Sequence, residues 1–303
     1  MPLPIPKPNS NEHLIRVHTA VITSGELFWP IYFPPPNPEK EPVPVYDIAG
    51  TVITAPPNSP FKPGNEIYAR TNFYRTGSGR EYTIATTEEL ALRPKNISWA
   101  EAASVPMSAQ TAWQALFVQA DLRPEPGVGA VGKRIFVAAA SGAVGQWLVQ
   151  LAHWVGAEVI ASCGPSNVEY VKSLGADEVV SRGTNMKEWA SSHEKADIVY
   201  DCHGKKTLED AWWVVKEGGT LISIVQPPEE MKPAELGDKN VKNFFFIVEP
   251  IGAHLEQVTK GIEEKKFKPT LDSVYPLERF EEAFAKVESG KILGKVALDM
   301  GVN

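Results

Sequence analysis

The chain has 303 residues, of which 43% are hydrophobic and 22% charged, as in an ordinary globular protein of about two domains. Its net charge of −7 argues against a nucleic-acid partner, because nucleic acids bind basic surfaces. No apolar run approaches the roughly 18 residues of a membrane span, and the proline-rich N-terminus lacks a secretory pattern. We therefore expect a cytoplasmic protein without a membrane partner.

The first third of the chain predicts a β-rich fold, because short apolar runs alternate with turns rich in proline and glycine. The predicted strands cover residues 14–21, 45–52 and 81–85, and residues 61–69 predict a turn that leads into a further strand. Residues 1–11 are expected to form a loose leader. The prolines of residues 34–44 predict an extended surface loop.

The periodicity of the sequence becomes helical at Ser98. This serine stands three residues before Glu101, the spacing of a capping box, and the pattern predicts a helix over residues 99–104. A second helix is predicted over residues 108–119.

Residues 134–161 predict a strand, a small-residue turn, a helix and a second strand. The turn reads Ala140-x-Gly142-x-x-Gly145, with alanine in place of the first glycine of the dinucleotide-binding pattern. Such a turn lets a phosphate approach the backbone at the positive end of a helix dipole. A turn of small residues can also serve helix–strand packing alone, but the strand–turn–helix context favours a dinucleotide site.

Strands and helices then alternate through the middle of the chain, which predicts a doubly wound parallel α/β sheet. The predicted strands are residues 178–180, 198–200, 220–225 and 244–248, and the predicted helices are residues 168–174, 186–191, 208–215 and 255–264. The tail, residues 273–298, returns to a strand, a helix and a strand. It is expected to rejoin the β-rich part of the chain.

Five segments carry a resemblance to a known family. They are residues 46–52 (YDIAGTV), 61–68 (FKPGNEIY), 97–106 (ISWAEAASVP) with 111–113 (TAW), 139–146 (AASGAVGQ) and 293–298 (LGKVAL). In this order they resemble the zinc-independent medium-chain dehydrogenases/reductases, in the branch of quinone oxidoreductases and enoyl reductases. Residues 162–167 and 172–177 look most like fungal members, which include stand-alone enoyl reductases that serve polyketide synthases.

The resemblance implies a Rossmann sheet inserted into a β-rich, GroES-like catalytic domain. The Rossmann domain would be residues 108–251, and the catalytic domain residues 1–107 and 252–303. The implied reaction is hydride transfer from NADPH to a quinone or to a conjugated carbonyl, an enone or an enoyl thioester. The resemblance places this reaction in secondary metabolism and implies a monomer or a homodimer.

The chain also departs from this family. Family strands before residue 14 are missing or reduced, Asn-Pro-x-Asp near the nicotinamide reads Thr23-Ser24-Gly25-Glu26, and Phe28 replaces a tyrosine of some quinone reductases. Two alternatives therefore stay open. One is a cofactor-binding partner or scaffold that has lost catalysis, and the other is a non-redox biosynthetic enzyme on the same fold.

Zinc is not expected in this chain. Alcohol-dehydrogenase relatives bind catalytic zinc through a cysteine and a His-Glu pair in the first domain. The two cysteines here are Cys163 and Cys202, both later in the chain, and Asp47-Ile48 stands where His-Glu would precede Ala49. Both cysteines end predicted strands and are interpreted as small wall residues beside the cofactor rather than as redox thiols.

The glycine turn, the strand ends and the resemblance together predict a set of cofactor-binding residues. They are Thr111, Ser141, Gly142, Ala143, Val144, Gly145, Ser162, Ser166, Asn167, Arg182, Cys202, Val225, Phe245 and Lys295.

The end of the strand before Gly164 favours NADPH over NADH. NAD-specific sites place an acid there, whereas here no acid follows until Glu169. Arg182 is the candidate for binding the 2′-phosphate, because a guanidinium forms two charge-assisted hydrogen bonds to a phosphate. The alternatives are that Arg182 is an exposed loop arginine or that Lys172 takes this role.

The predicted substrate pocket is apolar and aromatic. At family positions it is lined by Trp29, Tyr32, Gln226 and Phe246. The alternative for the run of phenylalanines at 244–246 is a core strand. Tyr32 and Tyr46 are the candidates for the catalytic proton donor.

Overall fold

The computed structural model describes residues 3–34, 36 and 41–302. Within these residues the chain forms two compact units. Unit 1 contains the described residues up to Gln110 together with those from Glu249 onward, and unit 2 is Thr111–Val248. The sequence predicted domain boundaries after residues 107 and 251, near these two positions.

The described elements are numbered here in chain order. The strands are β1 (Glu12–Ile22), β2 (Asp47–Thr54), β3 (Glu66–Arg70), β4 (Tyr82–Thr86), β5 (Leu90–Leu92), β6 (Arg134–Ala138), β7 (Glu158–Cys163), β8 (Glu178–Ser181), β9 (Ala196–Asp201), β10 (Val215–Ser223), β11 (Lys242–Phe245), β12 (Leu271–Pro276) and β13 (Lys295–Asp299). The α-helices are α1 (Trp29–Tyr32), α2 (Trp99–Ala103), α3 (Pro106–Trp113), α4 (Gly145–Trp154), α5 (Val168–Ser173), α6 (Met186–Ser192), α7 (Lys206–Val214), α8 (Gly252–Glu263) and α9 (Phe280–Glu288).

Unit 1 is built on a mostly antiparallel sheet. Its strands lie in the order β12-β13-β1-β2-β3-β5, and β4 also pairs with β1. Strand β1 therefore has three antiparallel partners, β2, β4 and β13. Its apolar side chains join a buried cluster with residues from both ends of the chain, such as Ile15, Ile48 and Leu298. The tail of the sequence rejoins the β-rich part, as predicted.

Helix α2 begins at the predicted capping box. Ser98 Oγ accepts the backbone N–H of Glu101 at 3.2 Å, and Glu101 Oε2 accepts the backbone N–H of Ser98 at 2.8 Å. The two bonds satisfy donors that have no partner inside the helix.

Unit 2 contains a six-stranded sheet in the order β11-β10-β9-β6-β7-β8. Every pair in it is parallel, which confirms the predicted doubly wound α/β class. Buried apolar side chains such as Phe136, Ile160, Val199 and Leu221 pack against the helices. The strand order changes direction at β6, so the carboxyl ends of β6, β7 and β9 meet where open α/β sheets bind their ligands.

Several predicted boundaries in unit 2 are wrong. The helix predicted over residues 108–119 is α3, and it changes to a π-helix at Gln114–Gln119. The strand predicted over residues 244–248 is β11, which ends at Phe245 because its partner β10 ends at Ser223, the residue paired with Phe245. Strand β10 itself ends at Ser223, so residues 224–225, which were predicted to belong to it, lie beyond its end.

Two short elements of unit 1 were not predicted. Strand β5 and helix α1 have three and four residues, too few to show a periodicity. The predicted leader and proline-rich loop include residues 1–2, 35 and 37–40, which lie outside the described residues.

Candidate functional site

The glycine turn of unit 2 leads from β6 into α4. Ala139 has a φ of 57°, a left-handed conformation, and so turns the chain sharply after the strand. Ala140 donates its N–H to Ser162 O at 2.8 Å, and this bond ties the turn to β7. Gly142 donates its N–H to Ala139 O at 3.0 Å and closes the turn.

The two glycines of the turn have different surroundings. A Cβ at Gly145 would lie 2.5 Å from Ala139 O and 2.7 Å from Ala140 Cα, so the helix packs on the turn too closely for any side chain. Gly142 is exposed, and a Cβ there would meet only Ala139 O at 3.2 Å. Gly145 therefore allows the packing, while Gly142 leaves the backbone accessible from outside.

This turn also presents backbone donors at the start of α4. Within the described part of the chain, Ser141, Ala143 and Val144 donate no backbone hydrogen bond. Such N–H groups, together with the dipole of the ten-residue helix that follows, favour an anion. The residues that the sequence predicted for the pyrophosphate thus form one accessible turn.

Arg182 lies at the neighbouring strand end. Strands β7 and β8 pair so that Cys163 faces Ser181, and Arg182 then donates its N–H to Cys163 O at 2.7 Å. Its Nη2 lies 3.2 Å from the position that a Cβ on Gly164 would occupy. The arginine is exposed, and the ion pairs found among the described residues do not include it.

The small polar residues predicted beside Arg182 follow β7. Ser162 and Asn167 are half-buried, and Ser166 is exposed on the 3₁₀ turn Pro165–Asn167. The structure therefore brings these residues and the guanidinium to the same strand end. Lys172, the rival cation, forms an exposed ion pair with Glu169 at 3.2 Å.

Sequence reasoning missed Asp201, the last residue of β9. Its carboxylate is fully buried and accepts the N–H of Gly204 at 2.8 Å and the hydroxyl of Thr207 at 2.6 Å. Ser223 Oγ donates to the same carboxylate at 3.3 Å. Burial raises the pKa of Asp201, and these hydrogen bonds oppose the rise.

Ser223 carries this network to the next loop. Its Oγ accepts the N–H of Val225 at 3.2 Å and that of Gln226 at 3.4 Å. The loops after β9 and β10, which hold three predicted site residues, are thus fixed by one buried carboxylate. The sequence signal that could have identified Asp201 is an acid that directly follows a predicted apolar strand, residues 198–200.

The remaining predicted residues of unit 2 are distributed as follows. Cys202 is half-buried, Val225 is 46% exposed, Gln226, Phe245 and Phe246 are half-buried, and Thr111 is buried. Burial and the neighbouring Asp201 raise the pKa of the Cys202 thiol, so it carries no thiolate at neutral pH. Phe245 is the last residue of edge strand β11 and Phe246 follows it, and neither ring is enclosed in the core.

Unit 1 contains a buried group of charges drawn from distant parts of the chain. Lys295 is 4% exposed, and its Nζ donates to Thr23 Oγ1 at 2.8 Å. The same nitrogen lies 3.4 Å from Asp47 Oδ2, and Asp47 Oδ1 accepts the N–H of Met107 at 2.8 Å. Lys295 was predicted to contact the cofactor, and the structure shows its ammonium bound to these residues of its own unit.

Glu26 belongs to this group but has no hydrogen-bonding partner there. It is 2% exposed, and neither carboxyl oxygen has a well-aligned hydrogen-bonding partner among the described residues, although the backbone of Thr23 lies close enough to lower the pKa of the carboxyl in part. Burial raises the pKa of Glu26 to about 8, although the positive charge of Lys295 opposes this. The side chain is therefore mostly protonated at neutral pH.

The two candidate proton donors have opposite environments. Tyr46 is 3% exposed, and its ring stacks on Trp29 with centroids 5.7 Å apart. Burial, and then the nearby charge of Glu26, raise the pKa of Tyr46 to about 12. Tyr32 is 70% exposed on α1. The predicted pocket residues Trp29 and Tyr32 thus lie on one short segment, Trp29 partly buried and Tyr32 in solvent.

The described residues contain neither a metal-binding cluster nor a membrane-spanning helix. No cluster of three or more His, Cys, Asp or Glu side chains there is arranged to hold a metal ion. None of the described helices is long and apolar enough to cross a bilayer.

Comparison with known proteins gives the class. A family model described as "Zinc-binding dehydrogenase" matches residues 174–298. An Arthroderma benhamiae protein named "Probable zinc-binding oxidoreductase, mitochondrial" is 51% identical over 98% of this chain and 91% of its own length. The "Chloroplast envelope quinone oxidoreductase homolog" of Arabidopsis thaliana is 33% identical over 98% of this chain and 92% of its own.

A solved structure supports the same fold. The quinone oxidoreductase from Coxiella burnetii aligns with a TM-score of 0.82 at 22% identity, over 98% of this chain and 93% of that one. The chain is an oxidoreductase with a quinone oxidoreductase homolog and a 2-methylene-furan-3-one reductase among its relatives. It belongs to the zinc-binding dehydrogenase family, the medium-chain dehydrogenases/reductases, and its relatives indicate a nicotinamide cofactor.

Proposed function

We propose that this oxidoreductase uses NADPH to reduce an enone, an enoyl thioester or a quinone, and that it does so without zinc. The observation that carries the proposal is the position of Arg182, whose guanidinium lies against Gly164 at the end of β7. The glycine turn follows β6, the neighbouring parallel strand, so both features occupy one edge of the sheet.

The residues at this edge suit a dinucleotide. Gly142 leaves the turn open to a pyrophosphate, and the N–H groups of Ser141, Ala143 and Val144 would hold it. Ser162, Ser166 and Asn167 would bind the adenosine ribose and its phosphate. No acid stands at the end of β7 to repel a 2′-phosphate, and Arg182 supplies a charge that attracts it.

Hydride transfer requires little acid–base catalysis from the protein's own side chains. When bound, NADPH supplies a hydride from its nicotinamide ring, while the protein orients the acceptor and excludes water. The Asp201 network would hold Cys202, Val225 and Gln226 in place for that purpose.

Reduction of a conjugated carbonyl also requires a proton at the carbon next to the carbonyl. With a pKa of about 12, Tyr46 keeps its proton at neutral pH and can hold it for donation. Tyr32, in contact with solvent, is the second candidate. The variants Tyr46→Phe and Tyr32→Phe identify the donor. Removal of the donor's hydroxyl should lower kcat for enones while leaving quinone reduction and NADPH affinity nearly unchanged.

The direct test is NADPH consumption by the purified protein with a panel of enones, enoyl thioesters and quinones. Oxidation with at least one class, slower in a Gly142→Val control at NADPH concentrations below saturation, supports the proposal. Tight NADPH binding without oxidation would indicate the scaffold alternative. Turnover of a substrate without net change in NADPH would indicate the non-redox enzyme.

Zinc independence needs its own measurement. Activity should survive a chelator, and purified protein should contain no stoichiometric zinc. Loss of activity that zinc restores would contradict this part of the proposal.

The biological setting is proposed from the resemblance to fungal enoyl reductases. An enoyl thioester carried by a polyketide synthase would be the substrate, and carrier-bound thioesters should then be reduced faster than free ones. Cell fractionation would place the protein in the cytoplasm, as proposed from the sequence, or in mitochondria, the compartment in the name of the Arthroderma benhamiae relative. Light scattering would distinguish the proposed monomer and homodimer.

A further inference from the structure

The segment of residues 23–33 has an inverted distribution of polarity. It contains the 3₁₀ turn Glu26–Phe28 and helix α1, and Glu26 is the one residue of these two elements that is buried. The apolar side chains around it face solvent: Leu27 is 51% exposed, Phe28 52% and Ile31 73%. A surface turn selected only for stability would bury the leucine or the phenylalanine and expose the acid.

Glu26 faces charges from several packed elements. They are Lys295 of β13, Asp47 of β2, Glu288 of α9 and Tyr46, which precedes β2, while Arg70 of β3 acts on Asp47 and Tyr46. The ammonium of Lys295 already binds Thr23 and lies beside Asp47. Among the described residues, its ion pair is with Asp47 and not with Glu26.

The residues that follow Glu26 carry the predicted substrate contacts. Trp29 stacks on Tyr46 at 5.7 Å and packs edge-on against Phe73 at 5.7 Å. Gly25, directly before Glu26, has a φ of 76°, where glycine changes conformation without a side-chain clash. Glu26 is thus the buried end of a short segment with a glycine on one side and the aromatic rings on the other.

We propose that Glu26 is a positioning residue: its carboxyl holds residues 23–33, and with them Trp29 and Tyr32, in place only while it carries a proton. The substrate-facing role of these two rings rests on the proposed function. The proton-dependent seating of the segment does not.

The physical reason is the difference in burial cost between the two forms of the side chain. A neutral carboxyl without hydrogen bonds tolerates an apolar site far better than a carboxylate does. Since the pKa of buried Glu26 is raised to about 8, a proton is bound more tightly in the seated than in the released segment. The equilibrium constant for holding the segment in place is greatest below the pKa of a free glutamate. It falls about tenfold per pH unit from there up to the raised pKa.

Hydrogen exchange of peptides from residues 23–33 tests this directly. After correction for intrinsic rates, protection in the wild type should fall at least tenfold between about pH 6 and about pH 8. Glu26→Gln, an uncharged isostere, should show no such fall, and neither should Glu26→Met if the amide itself disturbs the site. Glu281→Gln is the matched control: Glu281 is an exposed acid of α9 that is not among the charges facing Glu26, and its loss should leave the wild-type dependence unchanged.

Protection that is the same at both pH values in the wild type, or that falls equally in the Gln and Met variants, would overturn the inference. A fall in peptides from β1 and β13 as well would show global unfolding and would also overturn it. With an active enzyme, KM for the acceptor should rise with pH in the wild type and stay level in Glu26→Gln, at similar kcat. If reduction is never detected, the exchange result still decides this inference while the proposed function fails.

Discussion

Thr207 donates its hydroxyl to the buried carboxylate of Asp201 at 2.6 Å, and this bond links α7 to the end of β9. The same carboxylate binds Gly204 and Ser223, so the two loops that follow β9 and β10 depend on it.

Asp201→Asn should therefore disturb both loops. An amide replaces one accepting oxygen with a donor, and at least one of the N–H and O–H donors loses its partner. We expect a loss of about 1–3 kcal/mol in the free energy of unfolding, measured with urea, and weaker NADPH binding. Thr207→Val removes one bond but leaves the carboxylate, so its effect should be smaller. Equal stability of wild type and Asp201→Asn would show that the network does not fix the loops.

The two glycines of the turn should respond differently to substitution. Gly145→Ala places a Cβ against the backbone of Ala139 and should lower Tm strongly. Gly142→Val should leave Tm nearly unchanged but weaken NADPH by about tenfold or more (about 1.4 kcal/mol), because its side chain occupies the phosphate approach. Thermal melts and titration of cofactor fluorescence measure both. Unchanged NADPH affinity in Gly142→Val would refute the position of the pyrophosphate.

Phe245→Ala tests the substrate side of unit 2, because Phe245, a predicted cofactor contact, directly precedes the predicted pocket residue Phe246. The ring is half-buried on edge strand β11, so the variant should lose less stability than the roughly 3–5 kcal/mol of a fully buried phenylalanine. Phe136→Ala, in the core, is the matched control. We expect Phe245→Ala to change relative kcat/KM among acceptors more than it changes NADPH affinity. Parallel losses of both would identify Phe245 as a packing residue.

The fold could be predicted because its signals are local. Apolar strands alternate with amphipathic helices in unit 2, and the Ser98 capping box marks the start of α2 within four residues of sequence. Asp201 and its partners could not be predicted in the same way, since Ser223 reaches the carboxylate only after β9 and β10 pair. The group around Glu26 and Lys295 likewise depends on the pairing of β1 with β13, which joins opposite ends of the chain.

The strand ends could be predicted only in part, because they combine local sequence signals with contacts that depend on strand pairing. The sequence predicted Arg182 as a phosphate ligand from its place after a strand. Its position against Gly164 depends on the register of β7 with β8, which no local pattern specifies. The same holds for β11, whose end is set by the end of β10.

The central claim is tested most directly by the affinity of Arg182→Ala for NADPH and NADH. A charge-assisted phosphate contact contributes on the order of 1.5–3 kcal/mol, so NADPH should weaken by roughly ten- to a hundredfold at about 1.4 kcal/mol per decade. NADH should be almost unaffected, and Lys172→Ala should leave both cofactors at wild-type affinity. If Arg182→Ala weakens both cofactors alike, or neither, Arg182 does not bind the 2′-phosphate and the account of this site is wrong.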